Sequence, residues 1–216
     1  GRAPAGPSKP RVREDIKSTT GQSPDPMPRE PRRVAVMAHD RFGPFTSKTA
    51  VALIRYGQDH VVAAIDRSKR PVDASEYLGP PGEGIPVVNT VGEALSMDLD
   101  AVVFGWAPEG GAIPAHDRAD LLVVLESGVD VVSGLHDLLG DDPVMVAAAE
   151  RGGATITDLR RPPARKRLLN GEVAYKHAPV CLVTGTDCST GKMTVAVEMV
   201  REARGRGIDT AFVATG

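Results

Sequence analysis

Ten consecutive residues, Gly185, Thr186, Asp187, Cys188, Ser189, Thr190, Gly191, Lys192, Met193 and Thr194, concentrate the chemistry most open to interpretation in this chain. Glycines let a backbone turn tightly and approach oxygen atoms closely. A helix that follows offers free N–H groups and a positive dipole end to an anion. The apolar run "PVCLVT" delivers Gly185, Gly191 permits the turn, Lys192 can reach outer phosphates, and "TVAVEMVREA" has amphipathic spacing. The usual form is G-x-x-x-x-G-K-[ST], whereas five residues separate Gly185 from Gly191 here, and Met193 stands where a magnesium-binding hydroxyl is usual. A thioether is a poor ligand for magnesium, so either Thr194 or water substitutes, or metal-dependent hydrolysis is impaired. Cys188 lies inside the loop, where a helix N-terminus would lower its thiol pKa; it is either a nucleophile or a small loop filler.

Further candidates follow other apolar runs. Gly110 and Gly111 in "GWAPEGGAIP" could turn backbone amides toward a carboxylate or phosphate, or could form a plain strand-to-helix turn. His136 and Asp137 in "SGLHDLLGDDP" pair an imidazole with a carboxylate, which suits a general base toward an ammonium substrate and equally suits a loop-packing pair. His39 and Asp40 after the first strand have the same composition. That strand is not followed by G-x-G-x-x-G, which argues against a dehydrogenase. The basic run from Arg160 to Arg167 could contact phosphates or face solvent.

The elements that would position these residues alternate. "RRVAVMAHD", "HVVAAID", "IPVVN", "DAVVFGW", "VDVVSG" and "ATITDL" are short apolar strands. "TSKTAVALIRYG", "VGEALSM", "RADLLVVLESG" and "DPVMVAAAERG" carry helical spacing, the first with Thr46 or Ser47 as N-cap and Gly57 at its end. Strands apolar throughout and alternating with helices indicate a parallel sheet covered on both faces. The expected architecture is α/β: a Rossmann-like domain over 33–159, a linker over 160–178, and the opening of a P-loop domain over 179–216, in which "VCLVTG" and "DTAFVATG" are strands. Strand, loop, helix and strand are only the start of such a domain, so a fragment of a longer protein is expected. Residues 1–32 contain seven prolines and two large aliphatic side chains before Met27, and a disordered tail is expected there.

Composition narrows the class. The chain is 41% apolar and 25% charged, with a net charge of −2, which suits a globular protein. Residues 1–33 hold eight Lys/Arg against four Asp/Glu, so the remainder is acidic and gives no case for nucleic-acid binding. No run approaches the roughly 18 apolar residues of a membrane span, and no secretory signal is evident. Two cysteines, Cys181 and Cys188, make no disulfide framework or zinc site. A cytoplasmic protein with a small-molecule substrate, self-associating as a homo-oligomer and binding neither nucleic acid nor membrane, is expected.

"GTDCSTGK" resembles the longer "GTDTxxGK" loop of dethiobiotin synthetase-like P-loop enzymes, with Thr194 on the second hydroxyl position. Across Arg33 to Gly216, "KTAVALIRYG", "VVAAID", "FGWAPEGGAIP", "GVDVVSGLHDLLGDDP", "DLRRPP" and "GTDCSTGKMTVAVE" resemble a two-domain family long catalogued as of unknown function, with a Rossmann-like domain followed by a P-loop domain. Some members are described as D-glutamate N-acetyltransferases. The resemblance implies an enzyme acting on a small acidic metabolite between the domains, with ATP or acetyl-CoA on the loop, magnesium as a further candidate, and the "GG" and "LHD" loops orienting substrate. Two other readings stay open: a nucleotide-binding regulatory or scaffold protein without turnover, and an ATP-dependent ligase of the dethiobiotin synthetase type.

Overall fold

The computed structural model describes residues 30–162, 178–187 and 190–214. The chain divides into two units, Gly1–Pro163 and Ala164–Gly216. Most of the expected tail and most of the expected linker lie outside the described residues.

The first unit is a six-stranded parallel sheet in the order β3-β2-β1-β4-β5-β6. Its strands are β1 (Arg33–Met37), β2 (His60–Ile65), β3 (Val87–Val88), β4 (Ala101–Phe104), β5 (Asp130–Ser133) and β6 (Ile156–Asp158). Helices α1 (Lys48–Tyr56), α2 (Ser75–Leu78), α3 (Val91–Leu95), α4 (Ala115–Glu126) and α5 (Pro143–Gly152) connect them. The expected Rossmann-like α/β fold is what the chain adopts.

Both sheet faces are covered, which explains strands without polar alternation. Ala35, Met37, Val102, Phe104 and Val131 pack with Leu121, Leu125 and Met145 on one face. Val34, Val36, Ala101 and Val103 pack with Phe42, Ala50 and Leu78 on the other. Local chemistry starts the helices. Thr90 and Glu93 form a reciprocal capping box on α3. Asp142 caps α5 through Val144 N–H at 2.8 Å, with Pro143 in its first turn. Gly105, just past β4, lets α1 approach the sheet: Ala50 N–H donates to its carbonyl at 2.9 Å, and a Cβ there would lie 2.9 Å from Ala50 Cβ and 3.0 Å from Met37 O.

Between β2 and β3 the chain adds α2 and a 3-10 turn, Pro80–Gly82, which the apolar spacing did not indicate. Two local expectations are corrected. Helix α4 begins at Ala115, earlier than its apolar spacing suggests, because Pro114 is compatible with an N-terminal boundary. In the second unit, neither 180–184 nor 209–214 is a strand; among the described residues each lacks the hydrogen-bonded partner that a strand requires. The element assigned there is α6 (Lys192–Gly205).

Candidate functional site

The phosphate loop is described at Gly185–Asp187 and from Thr190 onward; Cys188 and Ser189 lie outside the described residues. Gly191 holds φ +88° at the N-cap of α6, a conformation that glycine adopts without a Cβ penalty. A Cβ on Gly185 would come within 2.7 Å of Thr190 Oγ1 and 3.1 Å of Lys192 Cδ, so glycine is needed for the loop to fold over itself. Lys192 Nζ donates to Asp187 O and Thr190 Oγ1 donates to the same carbonyl at 3.3 Å. Among the described residues, the first turn of α6 has no acidic side chain and no side-chain cap, so its N–H groups and dipole suit an anion. These features fit a phosphate group. Met193 and Thr194 are both exposed.

In the first unit, Gly110 and Gly111 hold φ +78° and +82° in the loop after β4. The structure brings this loop beside His136: a Cβ on Gly111 would lie 3.5 Å from His136 Cβ. His136 and Asp137 are themselves exposed in the loop after β5.

A denser constellation gathers where β1 ends and α4 begins. His39 is buried, and its Nδ1 accepts Arg67 N–H at 3.1 Å, which places the proton of a neutral ring on Nε2. That Nε2 lies 2.9 Å from Asp120 Oδ2, a close approach whose angles fall short of a hydrogen bond. His116 Nε2 lies 3.5 Å from Asp117 Oδ1 and 3.9 Å from Asp40 Oδ2, and the two imidazoles meet edge to face at 6.1 Å. Asp117 is fully buried, and among the described residues neither carboxylate oxygen has a hydrogen-bond partner. Burial pushes its pKa up, an effect only partly opposed by His116, His39 and Arg67 and reinforced by Asp120. Asp40 behaves oppositely, its carboxyl held below the usual range by the Arg67 guanidinium. Asp40 also sits at φ +61°, a strained value for a residue with a side chain.

The neighbouring Asp66, at the end of β2, stands where an acidic residue in a dinucleotide-binding fold would hold a ribose. Here its carboxylate is already engaged. It accepts from Asp40 N–H and Phe42 N–H at 2.9 Å each and from Ser68 N–H and Oγ at 2.8 Å each. The turn after β1 is therefore closed around a carboxylate, in place of a glycine-rich turn around a pyrophosphate.

Spacing singled out His39 and Asp40 but missed Asp117 and Asp120. A signal existed: the tetrapeptide Ala-His-Asp-Arg occurs at 38–41 and again at 115–118, once at a strand exit and once at a helix start. The fold brings these two copies together. The third His-Asp pair, His136 and Asp137, takes no described part in the cluster.

The fold and the loop define a two-unit α/β protein, Rossmann-like and then P-loop. Residues 67–162 match the family described as "Domain of unknown function (DUF1611_N) Rossmann-like domain" and residues 167–216 match "Domain of unknown function (DUF1611_C) P-loop domain". The chain belongs to the DUF1611 family. It is 38% identical over 153 residues to a D-glutamate N-acetyltransferase of Tritonibacter scottomollicae, covering 69% of this chain and 45% of that protein. A protein of the same name from Pseudoalteromonas sp. is 29% identical over 124 residues, covering 57% and 37%. The crystal structure of a DUF1611 family protein from Anabaena variabilis superposes with a TM-score of 0.78 at 33% identity, over 86% of this chain and 53% of that one. The chain thus spans about half the length of these relatives or less. Among the described residues, no helix is long and apolar enough to cross a membrane.

Proposed function

We propose that the full-length protein is a cytoplasmic acyltransferase that acetylates the amine of a small acidic amino acid, D-glutamate by the name of its relatives. The observation carrying this reading is the 38% identity to the Tritonibacter D-glutamate N-acetyltransferase. The phosphate loop supports it by fitting the phosphates of an acyl-CoA donor, with Lys192 and the first-turn amides of α6 as their partners. ATP offers the same phosphate chemistry, and Thr194, the hydroxyl residue that follows Lys192 and Met193, is then the candidate magnesium ligand.

The reaction sets what the protein must do. An ammonium group cannot attack a thioester, so one proton leaves the nitrogen first. The nitrogen then bonds to the acyl carbon, the C–S bond breaks with its electron pair on sulfur, and a second proton from nitrogen is matched by protonation of the thiolate. A positioned acid–base group and a phosphate anchor are therefore the two requirements.

Thiol release from acetyl-CoA, followed with a thiol reagent on the full-length protein, tests the reading. D-Glutamate should drive release and glutarate should not. No release with D-glutamate, coupled with ADP and phosphate formation from ATP in its presence, would replace the reading by an ATP-dependent ligase.

A further inference from the structure

We infer that the cluster of His39, His116, Asp117 and Asp120 at the carboxyl edge of the Rossmann-like sheet receives the primary ammonium group of a small amino acid, with His116 as the proton acceptor. The choice of D-glutamate as probe rests on the acyl-transfer reading; the ammonium chemistry rests on the cluster.

Topology puts the cluster where an open α/β sheet binds ligands. Strand order reverses direction between β1 and β4, and the connections leaving them reach α1 and α4 on opposite faces. The crevice between such connections, beyond the carboxyl ends of the strands, is the general ligand position of these folds. The dinucleotide occupant is disfavoured because Asp66 is consumed by the loop amides.

Unsatisfied atoms give the chemistry. His39 Nε2, His116 Nε2 and both oxygens of Asp117 are buried without hydrogen-bond partners. Native structures leave few buried polar groups unpaired, and a buried carboxylate is the most costly of these to strand. An ammonium group supplies three N–H donors and a positive charge, the complement that Asp117 lacks. Charge selects the same sign. Arg67 is paired with Asp40 and reaches Asp117 only through its longer-range charge, so among the described contacts Asp117 and Asp120 face two imidazoles at close range. An anionic ligand would meet those carboxylates directly.

The two histidines divide the work. His39, whose Nδ1 accepts Arg67 N–H, carries the proton of a neutral ring on Nε2 and holds it 2.9 Å from Asp120 Oδ2 without completing a hydrogen bond. The His116 side chain is 35% exposed while its Nε2 is turned inward and buried beside the fully buried Asp117, so the ring links solvent to the carboxylate. A substrate N–H bond breaks, its electron pair stays on nitrogen as the nucleophilic lone pair, and the proton forms a new N–H bond at His116 Nε2. The carboxylates of Asp117 and Asp40 flank the nitrogen that then carries the charge.

Calorimetric titration of the full-length wild type, Asp117→Asn and His116→Gln with D-glutamate and with glutarate tests this, alongside thiol release. Glutarate has the same two carboxylates and no ammonium. The wild type should bind D-glutamate at least about tenfold more tightly than glutarate, and Asp117→Asn should erase that preference. His116→Gln, at a partly exposed position, should keep D-glutamate binding and lower turnover by about a hundredfold or more. Equal wild-type affinity for the two ligands, or no binding of D-glutamate, overturns the inference. An ammonium preference that depends on Asp117 without thiol release leaves the site standing and removes the acyl-transfer reading. Thiol release unchanged in both variants does the reverse. If Asp117→Asn does not fold, unchanged turnover in His116→Gln suffices to overturn the proposal.

Discussion

The two units place their chemistry in opposite ways. In the Rossmann-like unit, His39 after β1, Arg67 after β2, and Asp117 and Asp120 on α4 are far apart in sequence and meet because parallel strands and buried helices hold them. In the second unit, Gly185, Thr190, Gly191 and Lys192 are near neighbours, and a turn alone brings them together. Burial differs in parallel. All the residues of β4 are buried, whereas α6 contains no buried residue and Val180, Leu182, Met193 and Val213 are exposed. A local site can be recognised from spacing without a surrounding core; an assembled site requires the core.

That contrast predicts the largest effect of mutation. Leu121→Ala, within the buried face of α4, should cost about 2–5 kcal/mol, whereas Val195→Ala on half-exposed α6 should stay within about 0.5 kcal/mol. Urea unfolding of both variants checks this, and similar losses would erase the distinction. Gly105→Ala comes next, because its new Cβ would crowd Ala50 and the Met37 carbonyl; a loss of about 1–3 kcal/mol is expected in the same measurement.

A smaller effect sharpens the comparison from the functional side. Asp117→Asn should raise the melting temperature at neutral pH by a few degrees, on the order of 1 kcal/mol of relieved burial cost. The sign follows from its raised folded-state pKa. Ionised Asp117 destabilises the native state above that pKa, and protonation relieves the cost as pH falls through it. The variant's advantage should therefore shrink on acidification. A lower melting temperature than wild type at neutral pH would mean that Asp117 is paired in solution.

Much of the fold was legible in the residues. Apolar strands alternating with capped helices announced the parallel sheet, and Asp142-Pro143 at the start of α5 is a local signal that needs no tertiary knowledge. Runs 180–184 and 209–214 were misread because apolar composition gives strand propensity but not a pairing partner. Asp117 escaped for the opposite reason: it precedes the helical run read from Arg118 onward, and its complete burial depends on residues far away in sequence. The phosphate loop could be read because its parts are contiguous.

The two units should bind different ligands through different residues. Titrating coenzyme A and D-glutamate separately into wild-type, Lys192→Ala and Asp117→Asn full-length proteins tests it most directly. Lys192→Ala should lose about tenfold to a hundredfold in coenzyme A affinity, the worth of one charge-assisted contact, while retaining D-glutamate. Asp117→Asn should lose D-glutamate and retain coenzyme A. Both substitutions weakening the same ligand, or neither weakening any, would show that the units do not divide the ligands in this way.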